Sequence, residues 1–177
     1  YGLWLDVKGK VIGDSVVVCE DNTTYRVISD CCKSESLVTH LKRYIIADDV
    51  VIKPQDLGYV FELYGDSLKK LDLKLPRKGY FDNVDSGILF AMDIERYRIV
   101  THSTEGRDEW FAKLVALGFK LMNKSEYGFQ RIAAAIPLIP EEIGSADLPG
   151  EGQLERDAIS FTKGCYLGQE IVARMHN

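Results

Sequence analysis

Short apolar runs bounded by turn-forming residues recur along the chain, and they restrict its fold more than any other feature. The run from Val11 to Glu20 is rich in β-branched residues, a polar DNTT stretch follows it, and the apolar pattern resumes from Tyr25 to Ser29. β-Branched residues favour strands, whereas Asp, Asn and Thr favour the turn between them. The sequence therefore predicts a β-hairpin near the start of the chain.

Helical patterns alternate with the predicted strands. Apolar residues fall at helical spacing from Glu35 to about Tyr44, where Ser34 is placed to cap the helix, and residues 108–117 form a second amphipathic helix that Gly118 closes. The other predicted elements are a strand in DDVVIKP, a strand Tyr59–Tyr64, a short helix Ser67–Leu71, and paired strands Gly87–Met92 and Tyr97–Thr101. Together they predict an α+β fold, with mostly antiparallel sheets and helices on one face.

The last part of the chain predicts a helix followed by a long loop. The helix begins at Lys124, and Pro137 ends it because proline cannot continue the helical hydrogen bonds. Residues 137–157 contain three prolines, several glycines and many acidic residues with little periodicity, which indicates a loop of the kind that is often functional. From Gln169 onward the sequence fits either a helix or a strand.

The composition argues against several classes of protein. The net charge is -5 and the pI is about 5.3, with Lys and Arg scattered among acidic residues, so we expect no direct nucleic-acid binding. No apolar run approaches the roughly 18 residues of a membrane span, which favours a cytoplasmic protein. Because the chain begins without Met inside a strand-like pattern, we expect it to be part of a longer protein.

The four cysteines, Cys19, Cys31, Cys32 and Cys165, predict reduced thiols and no metal site, because they are too few for a disulfide framework and lack C-x-x-C spacing. Cys165 lies in the KGCYLGQE stretch, where the glycines allow tight turns and Lys163 adds positive charge. If Gln169 starts a helix, its amides would also favour a reactive thiolate, although burial as a small apolar side chain is the commoner fate of a cysteine. No Cys–His catalytic pair is evident from His40, His102 and His176. Aromatic residues on apolar faces, such as Trp4 and Tyr44, are predicted core residues.

The KGCYLGQE stretch resembles the signature of the YgfZ-type folate-binding proteins, which are relatives of the T-protein (aminomethyltransferase) of the glycine cleavage system. The resemblance extends to YGLWLDVKGKVIGDSVVV, LKRYIIADDVVI and RIAAAIP, in the same order along the chain. It implies a ring of three domains around a hole that can hold tetrahydrofolate, here without the first strands and the C-terminal barrel. The implied units are residues 1–55, a ferredoxin-like unit 56–123, and a segment 124–177 that returns to the first unit.

The resemblance implies an accessory factor for the assembly or repair of iron–sulfur clusters, which in bacteria supports a radical enzyme of tRNA thiomodification. Its implied partners are iron–sulfur client or assembly proteins, and the sequence does not indicate an oligomeric state. Cys165 would be the functional cysteine. The residues expected to shape the site or bind the cofactor are Lys163, Gly164, Tyr166, Gly168, Gln169, Glu170, Arg131 and Asp6.

Two other functions stay open at this point. One is a tetrahydrofolate-dependent aminomethyltransferase, a true enzyme, although the signature cysteine is typical of the YgfZ-type branch. The other is a binding module that has lost folate, because this chain has Ala133 and Ala135 where the T-protein relatives have Glu and Gly in R-x-E-A-G. The loss of that carboxylate would weaken the binding of a pterin ring that carries several N–H donors.

Overall fold

A computed structural model describes residues 1–55 and 58–176, and the chain forms two compact units. The first unit combines Tyr1–Pro54 with Lys124–Asn177, and the second is Gln55–Asn123. The start of the predicted second unit at Asp56 lies outside the described residues. Over the described residues the fold is α+β with antiparallel sheets, as the sequence predicts.

The first unit contains a three-stranded antiparallel sheet in the order β1-β2-β3, formed by β1 (Gly2–Leu5), β2 (Val11–Cys19) and β3 (Tyr25–Ile28). The β2–β3 pairing confirms the predicted hairpin, and Val17 lies opposite Val27 in its register.

Four helices complete the first unit within the described residues: α1 (Ser34–Lys42), α3 (Lys124–Ala133), α4 (Glu155–Ala158) and α5 (Gln169–His176). The prediction that Ser34 caps α1 is wrong, because the extended residue before the helix is Lys33 and no side chain caps it. The predicted strand in DDVVIKP is also absent: Val50 and Val51 are exposed and the described residues provide no strand to pair with them.

The core of the first unit joins segments that are far apart in the sequence. Its buried members are Leu5, Val11, Ile139, Leu154 and Val172. Ile139 belongs to the predicted long loop, which is largely irregular but contains a short 3-10 helix, Pro149–Gly152, before α4. Burial of Ile139 and Leu154 fixes this loop against the sheet, and the segment around Cys165 follows directly after it.

The second unit is a four-stranded antiparallel sheet in the order β4-β7-β6-β5. Its strands are β4 (Tyr59–Tyr64), β5 (Phe81–Val84), β6 (Gly87–Ala91) and β7 (Arg96–Thr101). Helix α2 (Thr104–Ala116) packs Trp110 and Leu114 onto one face of this sheet, against Leu63, Leu89 and Ile99. A 3-10 helix, Asp66–Lys70, follows β4 where the sequence predicts a short helix.

Helix α2 begins at Thr104, four residues before its predicted start. In the structure Ser103 Oγ caps the helix by accepting the N–H of Gly106 at 3.0 Å. Gly106 is also closely packed, because a Cβ there would lie 2.9 Å from Cβ of Ser86. Gly118 adopts a left-handed conformation with φ 79° just past the helix end, which confirms its predicted role.

Candidate functional site

A cavity of about 650 Å³ lies within the first unit. Three segments form its wall: strand β1, the end of helix α1, and residues 157–167. Trp4, His40 and Tyr44 contribute aromatic surface, whereas Asp157 and Lys163 bring charges of opposite sign. Cavities of this size that combine apolar walls with a few polar groups are typical small-molecule sites.

Trp4 is held firmly in the cavity wall. Its indole Nε1–H donates to Ser15 Oγ at 3.0 Å, and Ser15 is buried on the neighbouring strand β2. Tyr44 also lines the cavity, and its ring lies edge-to-face against His40 at a centroid distance of 5.2 Å. A rotationally fixed indole is a suitable surface for a planar ligand ring to stack on.

The KGCYLGQE segment borders the cavity through Lys163, Tyr166 and Leu167. Lys163 Nζ lies 5.0 Å from the centre of the Tyr166 ring, a cation–π contact. Gln169 Oε1 accepts the backbone N–H of Tyr166 at 3.2 Å, so Gln169 shapes this turn from the first residue of α5.

The hydroxyl of Tyr166 is buried and has no hydrogen-bond partner among the described residues. Burial, and next the negative charge of Glu155, raise the pKa of this phenol. Tyr166 is therefore a neutral group at physiological pH, and its buried hydroxyl has an unmet hydrogen bond.

Cys165 is exposed and does not belong to the residues that line the cavity. Cys165 is therefore not buried as a small apolar side chain, which is the commoner fate of a cysteine. Gly164 is open, because a Cβ there would meet nothing within 4 Å. Glu170 is exposed on the first turn of α5, also outside the cavity.

Gly168 connects this segment to the first turn of the chain. It adopts φ 77°, and a Cβ there would lie 2.5 Å from Cα of Gly9. The turn at Gly9 is built by Asp6, whose Oδ1 accepts the backbone N–H groups of Lys8 at 2.8 Å and Lys10 at 2.9 Å. The structure thus brings Asp6 near the KGCYLGQE segment, as a turn-forming residue outside the cavity lining.

Arg131 lies outside the cavity lining and forms a two-pronged ion pair with Glu142. The nitrogen–oxygen distances are 2.7 and 2.6 Å, and the pair raises the pKa of Arg131 and lowers that of Glu142. Arg131 also donates to the carbonyl of Ile136 at 3.3 Å. These bonds join the end of α3 to the following loop, so the guanidinium is already engaged.

The two alanines of RIAAAIP also lie outside the cavity lining. Ala133 is exposed at the end of α3. Ala135 adopts φ 53°, the left-handed conformation that normally requires glycine. The backbone at residue 135 therefore keeps the shape that a glycine would supply.

His40 is among the cavity residues that sequence reasoning missed, and Trp4 and Tyr44 were assigned to the core. Tyr44 is exposed to about half, so its assignment is wrong, and Trp4 is only partly buried. The available signal for His40 was its position three residues after buried Leu37, on the apolar face of α1. Nothing in the local sequence shows that this face meets the Lys163 segment.

Curated proteins that are similar to this chain carry the name tRNA-modifying protein YgfZ. One from Escherichia fergusonii is 28% identical over 177 aligned residues, covering 96% of this chain and 53% of the relative. Another, from Yersinia enterocolitica, is 28% identical over 148 residues, covering 79% of this chain and 44% of the relative. The chain therefore spans about half the length of these relatives. No protein-family model matches it.

The chemistry available at the site is that of binding and of an accessible thiol. Within residues 1–55 and 58–176, no three His, Cys, Asp or Glu side chains are grouped so that they could hold a metal ion. In the same residues, no helix is both long and apolar enough to cross a bilayer. The cavity offers fixed aromatic surface, an ammonium group at Lys163 and the imidazole of His40.

Proposed function

We propose that this chain belongs to a YgfZ-type folate-binding accessory protein, which supports iron–sulfur cluster assembly or repair and, through it, tRNA modification. The observation that carries the proposal is that the side chains of KGCYLGQE face two different surroundings: Lys163 and Tyr166 line the cavity, whereas Cys165 between them is exposed. One short segment therefore contributes both to the cavity wall and to the outer surface of the protein. The name of the relatives, tRNA-modifying protein, supports the same role.

The cavity residues fit a reduced folate. A pterin is a planar ring that can stack on the indole of Trp4, which Ser15 holds in place. The carboxylates of the glutamate tail would bind the ammonium group of Lys163. The absence of a carboxylate at Ala133 does not weaken this arrangement, because that residue lies outside the cavity lining.

Cys165 would act on the outer side of the same segment. An exposed thiol can be approached by a large partner such as an iron–sulfur client or assembly protein, and thiolate sulfur is the usual protein ligand of cluster iron. A bound folate would stiffen the segment from the cavity side, and so would fix the position from which Cys165 meets the partner.

Calorimetry with tetrahydrofolate tests the division of roles. We expect the wild-type chain to bind, Cys165→Ser to bind within twofold of it, and Lys163→Glu to bind at least tenfold more weakly, because reversing the charge repels the glutamate tail. Absence of binding to the wild type would contradict the folate part and favour a module that has lost folate. Loss of binding in Cys165→Ser would place the cysteine in the ligand site instead.

A complementation assay tests the cellular role. The gene is introduced into a bacterium whose own YgfZ has been deleted, and methylthiolated tRNA nucleosides are measured by mass spectrometry. We expect the wild type to restore them and Cys165→Ser to fail at equal protein level. Cys19→Ser is the matched control, because Cys19 is also exposed but lies outside the signature segment. Restoration by Cys165→Ser would contradict a functional role for this cysteine.

A further inference from the structure

His40 is the most buried polar side chain of the cavity wall. Its exposed fraction is 8%, and it lies on the inner face of α1, one residue before Leu41, which also lines the cavity. The ring packs edge-to-face on Tyr44. Within residues 1–55 and 58–176 neither ring nitrogen of His40 is a fully buried atom without a hydrogen-bond partner, so the imidazole is a polar group on the cavity wall that a ligand can reach.

The charges around His40 favour its neutral form. Burial lowers the pKa of His40 most, Arg43 lowers it further, and Asp6 opposes the shift. The other charged side chains on the cavity wall are Asp157 and Lys163, of opposite sign. At neutral pH the imidazole therefore presents one N–H donor and one bare nitrogen that can accept a hydrogen bond.

A polar group on a cavity wall distinguishes between the ligands that cover it. A ligand that forms a hydrogen bond with the imidazole is favoured over one of equal shape that covers the imidazole and leaves it unpaired. The fixed indole of Trp4 lies in the same wall and favours a flat ring, and Lys163 favours an anionic group. The three side chains together favour a ligand that has a planar heterocycle with an N–H edge and an anionic tail.

We propose that His40 is the specificity-determining residue of this cavity, where its bare ring nitrogen accepts a hydrogen bond from an N–H group on the edge of a planar heterocycle. Where the ligand is a folate, this inference rests on the proposed function, because the pterin ring carries such N–H groups. The hydrogen bond is lost when His40 becomes protonated, because an imidazolium has no acceptor nitrogen. Ligand affinity therefore falls as the pH falls through the pKa of His40.

Calorimetry with three ring ligands tests the inference: tetrahydrofolate, guanosine monophosphate and flavin mononucleotide. Each combines a planar N–H-bearing ring with an anionic tail. For the ligand that binds, we expect His40→Phe to weaken binding at least tenfold, whereas His40→Gln, which retains an amide acceptor, recovers part of the loss. His102→Phe is the matched control, because His102 is exposed in the other unit, and it should bind within twofold of the wild type.

A second measurement needs no variant that might fold poorly. The imidazole of His40 in the wild-type chain is titrated by NMR from pH 5 to 8, with and without saturating ligand. A hydrogen bond to the bare nitrogen favours the neutral form, so we expect the ligand to lower the pKa of His40 by a unit or more, which is a tenfold change in its proton affinity. A ligand that only covers the ring would also lower the pKa through desolvation, so the 15N chemical shifts of the ring nitrogens are recorded in the same titration. A hydrogen bond moves the shift of the acceptor nitrogen, whereas a residue with only a packing role keeps it.

The outcomes separate this inference from the proposed function. If tetrahydrofolate binds and both readouts depend on His40, both hold. If it binds but His40→Phe leaves affinity unchanged and the NMR titration does not move, the inference is wrong and the proposed function stands. If only the nucleotide or the flavin binds, with dependence on His40, the inference holds and folate is the wrong ligand. If none of the three binds, both are wrong.

Discussion

Gly9 and Gly168 touch backbone to backbone, although 158 residues separate them in the sequence. Each has a positive φ, 74° for Gly9 and 77° for Gly168. A Cβ on Gly168 would lie 2.5 Å from Cα of Gly9 and 2.7 Å from the carbonyl oxygen of Asp6. The contact fixes Gly168, near the end of KGCYLGQE, against the β1–β2 turn, and it explains both glycines by packing rather than by ligand access.

We expect Gly168→Ala to destabilise the first unit by about 3 kcal/mol, because it adds a clash to a left-handed backbone conformation. Urea unfolding followed by circular dichroism measures the change. Gly164→Ala is the matched control in the same segment: its Cβ would meet nothing within 4 Å, so its stability should stay within about 0.5 kcal/mol of the wild type. Equal stabilities of the two variants would contradict the packing role of Gly168.

Local sequence patterns were sufficient to predict several strands and one helix end. The β2–β3 hairpin, strand β4 and the β6–β7 pair follow from β-branched runs and their turns, and Gly118 ends α2 as expected. Strand β5 was missed because its sequence, FDNV, contains two residues that disfavour strands, and pairing with β6 overrides that preference. The strand expected at DDVVIKP does not form for the opposite reason. Its residues have β propensity, but no neighbouring strand pairs with them in the described residues.

The candidate site was only partly predictable. KGCYLGQE identified the segment, but its division between cavity and solvent depends on how the turns at Tyr166 and Gly168 are held. His40 and Trp4 reach the same cavity from segments more than a hundred residues away in sequence. The sequence also does not show that Arg131 pairs with Glu142, or that Asp6 accepts the backbone N–H of Lys10.

Ala135→Gly should stabilise the chain. Ala135 carries φ 53°, and the N–H of Ile136 closes the end of α3 by donating to the carbonyl of Arg131 at 2.8 Å. Glycine is the residue that this helix end prefers, so relief of the left-handed strain should add about 1 kcal/mol to the free energy of unfolding. Ala133→Gly is the control: it lies on the helix itself and should lose about 0.5 kcal/mol or more. A loss of stability in Ala135→Gly would contradict the strain.

The four thiols should differ in their rates of alkylation. Burial, and next the charge of Glu141, raise the pKa of Cys31 from 9.0 to about 11. Because the thiolate is the reactive form, Cys31 should react roughly 100-fold more slowly at pH 8 than a thiol with the ordinary value. Cys165 is exposed and should be modified first with Cys19.

Peptide mass spectrometry after brief treatment with iodoacetamide resolves the thiols individually. Glu141→Gln removes the second cause of the shift and should accelerate the modification of Cys31, while Cys165 keeps its rate. Modification of Cys31 as fast as that of Cys165 in the wild type would show that its thiol is neither shielded nor held protonated.

Tyr166→Phe removes a hydroxyl that is buried without a hydrogen-bond partner in the described residues. Because the folded chain leaves that group unsatisfied, its removal should stabilise the protein by about 1 kcal/mol at pH 7. The difference should widen in alkali. Burial raises the pKa of the phenol in the folded chain above the ordinary 10.0. Above pH 10 the unfolded chain therefore loses this proton before the folded chain does, and the free energy of unfolding falls. Below pH 10 the phenol is neutral in both states, and this contribution to stability is fully present.

The Phe variant cannot ionise at this residue and should lose less stability between pH 9 and 11 than the wild type. Urea unfolding at several pH values measures both effects. Tyr44→Phe is the control, because its ring lines the same cavity but is half exposed, and we expect it to follow the wild type throughout. A Tyr166→Phe variant less stable than the wild type at pH 7 would mean that the hydroxyl is satisfied in solution, by a bound water or ligand beside the cavity.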